Sequence, residues 1–296
     1  MSSLREIKDH IGSVRSTLKI TGAMKLVASA KLRKAQQAVE GIRPYTRALS
    51  EMLEAVMDAA GNGASPFCKE AAGNGKTLVV AVAGNSSLCG AFNANVIRVL
   101  RRTLDELEAG GDGGIELVAV GRKVAEAVRR WGYPAAEDYG NLVAHPSFEQ
   151  SSSLAQKLLD AYSSGRCSRV ILVYNHFVSS SSQSVRVETY LPFSVPPAAP
   201  SDPHGRQLPD KAEESYILEP SRDEILTTLL PLVMRLRIHA VILDSTAAEH
   251  AARTIAMQAA SDNAEDLLAE LTLEYNKGRQ QKITAEILDL AGGAQQ

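Results

Sequence analysis

The residues best suited to chemistry flank one apolar run, Thr77–Ala83 (TLVVAVA). Just before it, Gly73-Asn74-Gly75-Lys76-Thr77 ends like the glycine-rich loop that cradles a nucleotide's phosphates. That loop needs another glycine at position 70, where Glu70 stands, and it follows a strand, whereas this segment precedes one. Just after the run, Gly84-Asn85-Ser86-Ser87-Leu88 approaches the elbow that exposes a nucleophilic serine, but Leu88 replaces the closing glycine. No acid–histidine pair sits at a telling position downstream. The segment reads instead as a tight strand-to-helix turn, with Gly84 and Gly90 serving backbone geometry. His10, His145, His176, His204, His239 and His250 are scattered without metal-ligand spacing, and His239 and His250 read as surface or seam residues. Cys68, Cys89 and Cys167 are odd in number and widely spaced, which fits a reducing compartment better than a disulfide framework or a zinc site. The residues therefore predict no catalytic centre, no cofactor and no metal.

The elements around these residues are unusual in length. From Leu4, steps of three and four give Leu4, Ile7, Ile11, Val14, Leu18, Thr21, Lys25, Ala28, Leu32, Ala35, Val39, Ile42, Thr46, Leu49, Leu53 and Val56. Thirteen of these sixteen positions are apolar, so the stripe predicts a coiled-coil seam rather than a broad core face. A helix over 1–57 would be about 85 Å long, and Pro44 should kink or break it. Ser221 with Glu224 forms a capping box that opens a second long helix over 221–296. Its stripe runs through Leu226, Leu229, Val233, Leu236, Ala240, Leu243 and Ala247, then Met257, Ala260, Ala264, Leu267, Leu271 and Tyr275. Pro231 is a second place for a kink.

Between the long helices the period changes. Thr77–Ala83, Ile115–Val120 and Arg169–Asn175 read as buried strands, and Val185–Tyr190 as an edge or hairpin strand. Ala94–Glu108, Lys123–Trp131 and 151–163 read as helices. The alternation predicts an α/β, Rossmann-like domain over 77–220 with a mostly parallel sheet, joined by a Gly/Ala-rich linker over 58–76. The Ser179–Ser184 run is a solvated turn, and 192–211 should loop out.

Charge supports a pairing of the ends. Residues 1–47 hold ten Lys/Arg against three Asp/Glu, and 222–296 hold seven against eleven, within a net charge of −2. With a folded domain between them, antiparallel pairing into a shaft is the simplest arrangement. The overall charge gives no basic field for nucleic acid, and the basic N-terminal face has no aromatic residue before Tyr45 for base stacking. The N-terminus reads as neither a secretory signal nor a transit peptide, and no run approaches the roughly 20 apolar residues of a membrane span.

Three segments resemble the gamma subunits of F-type ATP synthases: Ile11–Gln37 with its Lys-Ile-Thr-x-Ala-Met core, Leu88–Asn93 (LCGAFN), and Glu249–Ile283. The resemblance implies a non-catalytic rotor without a cofactor. Its shaft would stand inside three alpha and three beta subunits. Its α/β domain would bind epsilon and the membrane c-ring at the cytoplasmic face of a bacterial inner membrane, without inserting into the bilayer. It also implies beta-subunit contacts for Met24, Lys25, Arg279 and Gln280, and more weakly for Thr284 and Glu286, with Gly84, Leu88, Cys89 and Gly90 shaping the turn after the first strand. Two departures stand out. Asn85-Ser86-Ser87 replaces the family's Asp-Arg-Gly, and Gly278 stands where alanine is usual. Two rival readings make different predictions. A coiled-coil adaptor would self-associate through its heptads, and a nucleotide- or phosphate-binding enzyme would bind ligand through its α/β domain.

Overall fold

A computed structural model describes residues 3–60, 65–69, 75–110, 114–134, 139–194, 219 and 221–293. Most of the 192–211 stretch, and Gly73 and Asn74, lie outside the described residues.

Helix α1 spans Leu4–Ala60 and helix α6 spans Arg222–Gly293. All sixteen predicted seam positions of α1 are buried or half-buried, as a stripe paired along its whole length requires. The partner is α6, running antiparallel. Leu4 lies over Gly278; Ile7 and Val14 pack with Ala264 and Leu271; Leu32 and Ala35 with Ala247 and Ala251; and Leu53, Val56 and Met57 join the cluster of Leu226, Leu230 and Met234. The polar seam residues pair in the same register. The Ser261 and Thr21 hydroxyls lie 2.8 Å apart, and the Lys25 ammonium donates to Gln258 Oε1 at 2.9 Å. Small residues at Ala28, Ala35, Ala247 and Ala251 let the helices approach closely there.

Three details differ from the sequence reading. Both helices continue through Pro44 and Pro231. Pro44 is exposed, so water can serve the carbonyl that its missing N–H leaves free, while seam packing on either side holds the helix. The seam passes through Leu268 rather than Leu267, which is 38% exposed; the step from Ala264 is four residues before three. Finally, α1 opens with its own capping box. The Glu6 N–H donates to Ser3 Oγ (3.2 Å), and the Ser3 N–H donates to the Glu6 carboxylate (3.0 Å).

The intervening chain forms β1 (Lys76–Val82), α2 (Phe92–Ala109), β2 (Ile115–Val120), α3 (Arg122–Arg130), α4 (Gly140–Ala144), α5 (Phe148–Ser163), β3 (Cys167–Phe177) and β4 (Gln183–Leu191). The sheet order is β2-β1-β3-β4; β1 pairs parallel with β2 and β3, and β4 closes the edge as an antiparallel hairpin. Alternation sorts the two faces. Val79, Ala81, Ile171 and Val173 face α2 and α3. Leu78, Val80, Leu172 and Tyr174 face α5 and the lower halves of α1 and α6. The base of the shaft is thus one of the sheet's covering layers. Leu226, Leu230 and Met234 are buried there, each contributing roughly 2 kcal/mol. Within residues 65–69, Phe67 and Cys68 pack on this core, and the Tyr162 hydroxyl donates to the Lys69 carbonyl at 2.7 Å. An 18-residue window of α6 has a mean hydropathy of 1.6, enough by length and composition alone to cross a bilayer. In this structure the apolar stripe of α6 is spent on the sheet, α5 and α1.

Candidate functional site

The turn after β1 is held from several sides. Leu88 (φ 64°) and Gly90 (φ 58°) both take the left-handed conformation, which brings the chain round into α2. Asn93 on α2 ties the loop down: its carbonyl oxygen accepts from the Gly84 N–H (2.9 Å), and its amide donates to the Ser86 carbonyl (3.0 Å). Asn85 bridges outward, donating to the Gly140 carbonyl (2.7 Å) and accepting from the Arg122 N–H (3.0 Å). Cys89 is buried against Phe92 and Ala248, and burial raises its thiol pKa, so it is a packing residue rather than a reactive thiolate.

Helix α6 closes over this turn. Arg253 donates to Ser86 Oγ (2.8 Å) and pairs with Glu249 (2.8 Å), and both side chains are largely buried. A Cβ at Gly84 would meet the Glu249 carboxyl carbon at 2.8 Å, so a side chain there would push that carboxylate off Arg253. This is the carboxyl edge of parallel strands, where open α/β sheets take up their ligands. A buried carboxylate fills that place and would repel a phosphate, and the Ser86 hydroxyl faces a guanidinium rather than a histidine base. Asn85-Ser86-Ser87 therefore fastens the turn to its neighbours.

The predicted partner residues lie elsewhere. Met24 and Lys25 are half-buried midway up the upper shaft, with Lys25 held by Gln258. Beside them Ile20 (60% exposed), Leu26 (69%) and Val27 (57%) face outward. Those three apolar residues lie off the seam, so the heptad stripe gives no signal for them.

Arg279, Gln280, Thr284 and Glu286 stand on the last part of α6, past the point where Leu4 covers Gly278. From there α6 runs without α1 for residues 279–293, about 22 Å. All four side chains are exposed; Thr284 bonds back to the Gln280 carbonyl (2.9 Å), and Glu286 lies 3.9 Å from Lys282. Ile283, Ile287, Leu288 and Leu290 are exposed as well. A single helix of this length is marginal in water, so the apolar end calls for a partner surface. Gly278 is a weak point within the same helix. Gly278→Ala should stabilise the protein by about 0.5–1 kcal/mol, since only the flexible tip of Leu4 must move aside. A raised melting temperature would support this, and a lowered one would mean that Leu4 cannot yield.

Of the two histidines read as surface or seam residues, one is buried and the other half-buried. His239 is buried beneath α5, within 2.9 Å of Ser151 Oγ, and burial lowers its pKa. His250 has a buried Nδ1 without a partner, and its pKa is lowered to about 4 by burial, with Arg253 and Lys31 adding repulsion. Both groups bind protons more readily in the unfolded chain, whose histidines titrate near 6.5. Their contribution is therefore intact above pH 6.5 and is lost as the pH falls below it, for His250 down to about pH 4, with a slope of at most about 1.4 kcal/mol per pH unit for each. Melting temperatures across pH 4–7 check this, and His250→Gln should flatten the curve. An unchanged slope in that variant would contradict the assignment.

Comparison with known proteins converges on one family. A family model described as ATP synthase matches residues 3–296. The chain is 46% identical over 294 residues to the ATP synthase gamma chain of Phocaeicola vulgatus, covering 99% of both proteins. It is 44% identical over 299 residues to that of Bacteroides thetaiotaomicron, covering 100% of both. Among solved structures, the rotor of the Euglena gracilis mitochondrial ATP synthase shares the fold with a TM-score of 0.62 at 19% identity, covering 95% of this chain and 98% of that one. The paired terminal helices, the sheet packed on their base and this full-length similarity together place the chain in the ATP synthase gamma chain family.

Proposed function

We propose that this chain is the central rotor that couples rotation of a membrane c-ring to ATP synthesis and hydrolysis at the beta-subunit sites. The observation that carries the reading is the shaft: α1 is paired along its length by α6, which then projects beyond it with an exposed apolar end. Its two helices present different residues at different angles, so a surrounding ring of three alpha and three beta subunits meets a different face at each orientation. Conformations of the beta subunits are then biased by unequal contact. Met24 and Lys25, beside the apolar patch of Ile20, Leu26 and Val27, serve one beta-subunit contact; Arg279 and Gln280 serve another, with Thr284 and Glu286 next to it. The α/β domain takes epsilon and the c-ring. The complex is attached to the membrane at the cytoplasmic face of a bacterial inner membrane, and this chain reaches the bilayer only through its partners.

The adaptor reading loses its support because each heptad stripe is already occupied by the other within one chain. The test is co-purification followed by native mass spectrometry. One gamma per three alpha and three beta subunits is expected; self-association without them would overturn the proposal.

A further inference from the structure

The α/β domain grips the two shaft helices unequally. Its described contact with α1 is apolar, through Leu53, Val56 and Met57. Among the described residues, the side-chain hydrogen bonds and ion pairs of α1 stay within α1 or go to α6. Helix α6, by contrast, is tied to the domain at successive heights. The Tyr190 hydroxyl donates to the Met234 carbonyl (2.9 Å), and Arg237 pairs with Glu188 (3.4 Å). Asp244 bridges the end of β3, with one oxygen 2.6 Å from His176 Nδ1 and the other accepting from the Phe177 N–H at 3.0 Å. Arg253, braced by Glu249, holds the β1–α2 turn. From Met234 to Arg253 these ties cover about 28 Å of helix. Apolar burial is non-directional, whereas hydrogen bonds fix direction and charged ones are the strongest.

We infer that torque enters the shaft through α6, at a polar joint in which Asp244 and the Glu249–Arg253 pair are the positioning residues, and that α1 is carried along by the seam. The inference rests on the rotor reading. Each tie resists twist of the domain about α6; without them only the apolar packing holds the angle, and part of each step would be lost as elastic slack.

The test uses the complex with alpha and beta subunits, fixed by its beta subunits and arrested with a non-hydrolysable ATP analogue. A probe is attached to the domain through S180C, on the exposed β3–β4 hairpin. Angular variance of the probe reports torsional slack. With the four ties acting as equal springs in parallel, Asp244→Ala with Arg253→Ala leaves two of them and should roughly double the variance. Asp244→Asn, which keeps an acceptor for the Phe177 N–H, should restore most of the stiffness at position 244. Leu53→Val at the α1 base should leave the variance unchanged. If the double variant does not assemble, Glu249→Gln, which unbraces Arg253 without adding volume, should widen the variance in the same sense. Unchanged variance in the joint variants, or equal loosening by Leu53→Val, overturns the α6 route while the rotor reading stands. A wild-type complex whose probe does not turn when ATP is supplied overturns both.

Discussion

Gly121→Ala should cost this protein about 4 kcal/mol and leave little of it soluble. Gly121 sits between β2 and α3 with φ 106° and ψ 144°, a conformation that residues with a Cβ avoid. A Cβ there would lie 2.0 Å from the Ala83 carbonyl oxygen and 2.9 Å from its carbon. Neither atom can retreat, because the Ala83 N–H bonds the Val120 carbonyl and the Gly84 carbonyl receives the Lys123 N–H. Strain of this kind is worth about 1–3 kcal/mol before the collision is counted. The consequence reaches the joint, since the next residue, Arg122, holds Asn85. Thermal melting of whatever soluble variant remains measures the loss; a change below about 1 kcal/mol would show that the turn can rearrange.

Arg279→Ala should slow ATP turnover by the assembled complex about tenfold while moving the chain's own melting point little. The guanidinium is exposed on the unpaired end of α6, so truncating it leaves no buried partner behind. In the complex a charged hydrogen bond to a beta-subunit loop would be worth about 1.5–3 kcal/mol, and each 1.4 kcal/mol withheld from the rate-limiting state is about a factor of ten in rate. Turnover by complexes of normal stoichiometry is the measurement. Wild-type turnover would remove Arg279 from the coupling path, and a large drop in melting temperature would recast it as a structural residue.

Periodicity made the shaft readable because a seam repeats the same demand every three or four residues. Two ambiguous steps, Ala260 against Ser261 and Leu267 against Leu268, were resolved only by packing. The strands were readable as apolar runs, and β4 by its alternation; α4, five residues long, has no period to detect. The turn at Gly84–Gly90 was readable as a turn, yet its occupant was not. Which face of α6 meets the sheet depends on how the domain docks, and nothing in the local sequence marks Asp244, Glu249 or Arg253 as reaching it. The outward-facing Ile20, Leu26 and Val27 were hidden for the opposite reason: they have no role in the folded chain alone.

The central claim is mechanical, and rotation tests it most directly. The complex is immobilised through its beta subunits, a probe is fixed to the α/β domain, and ATP is supplied. Stepwise turning of the probe in one direction, in step with hydrolysis, is the predicted result. A probe that stays still while the same complexes hydrolyse ATP at their full rate would contradict it.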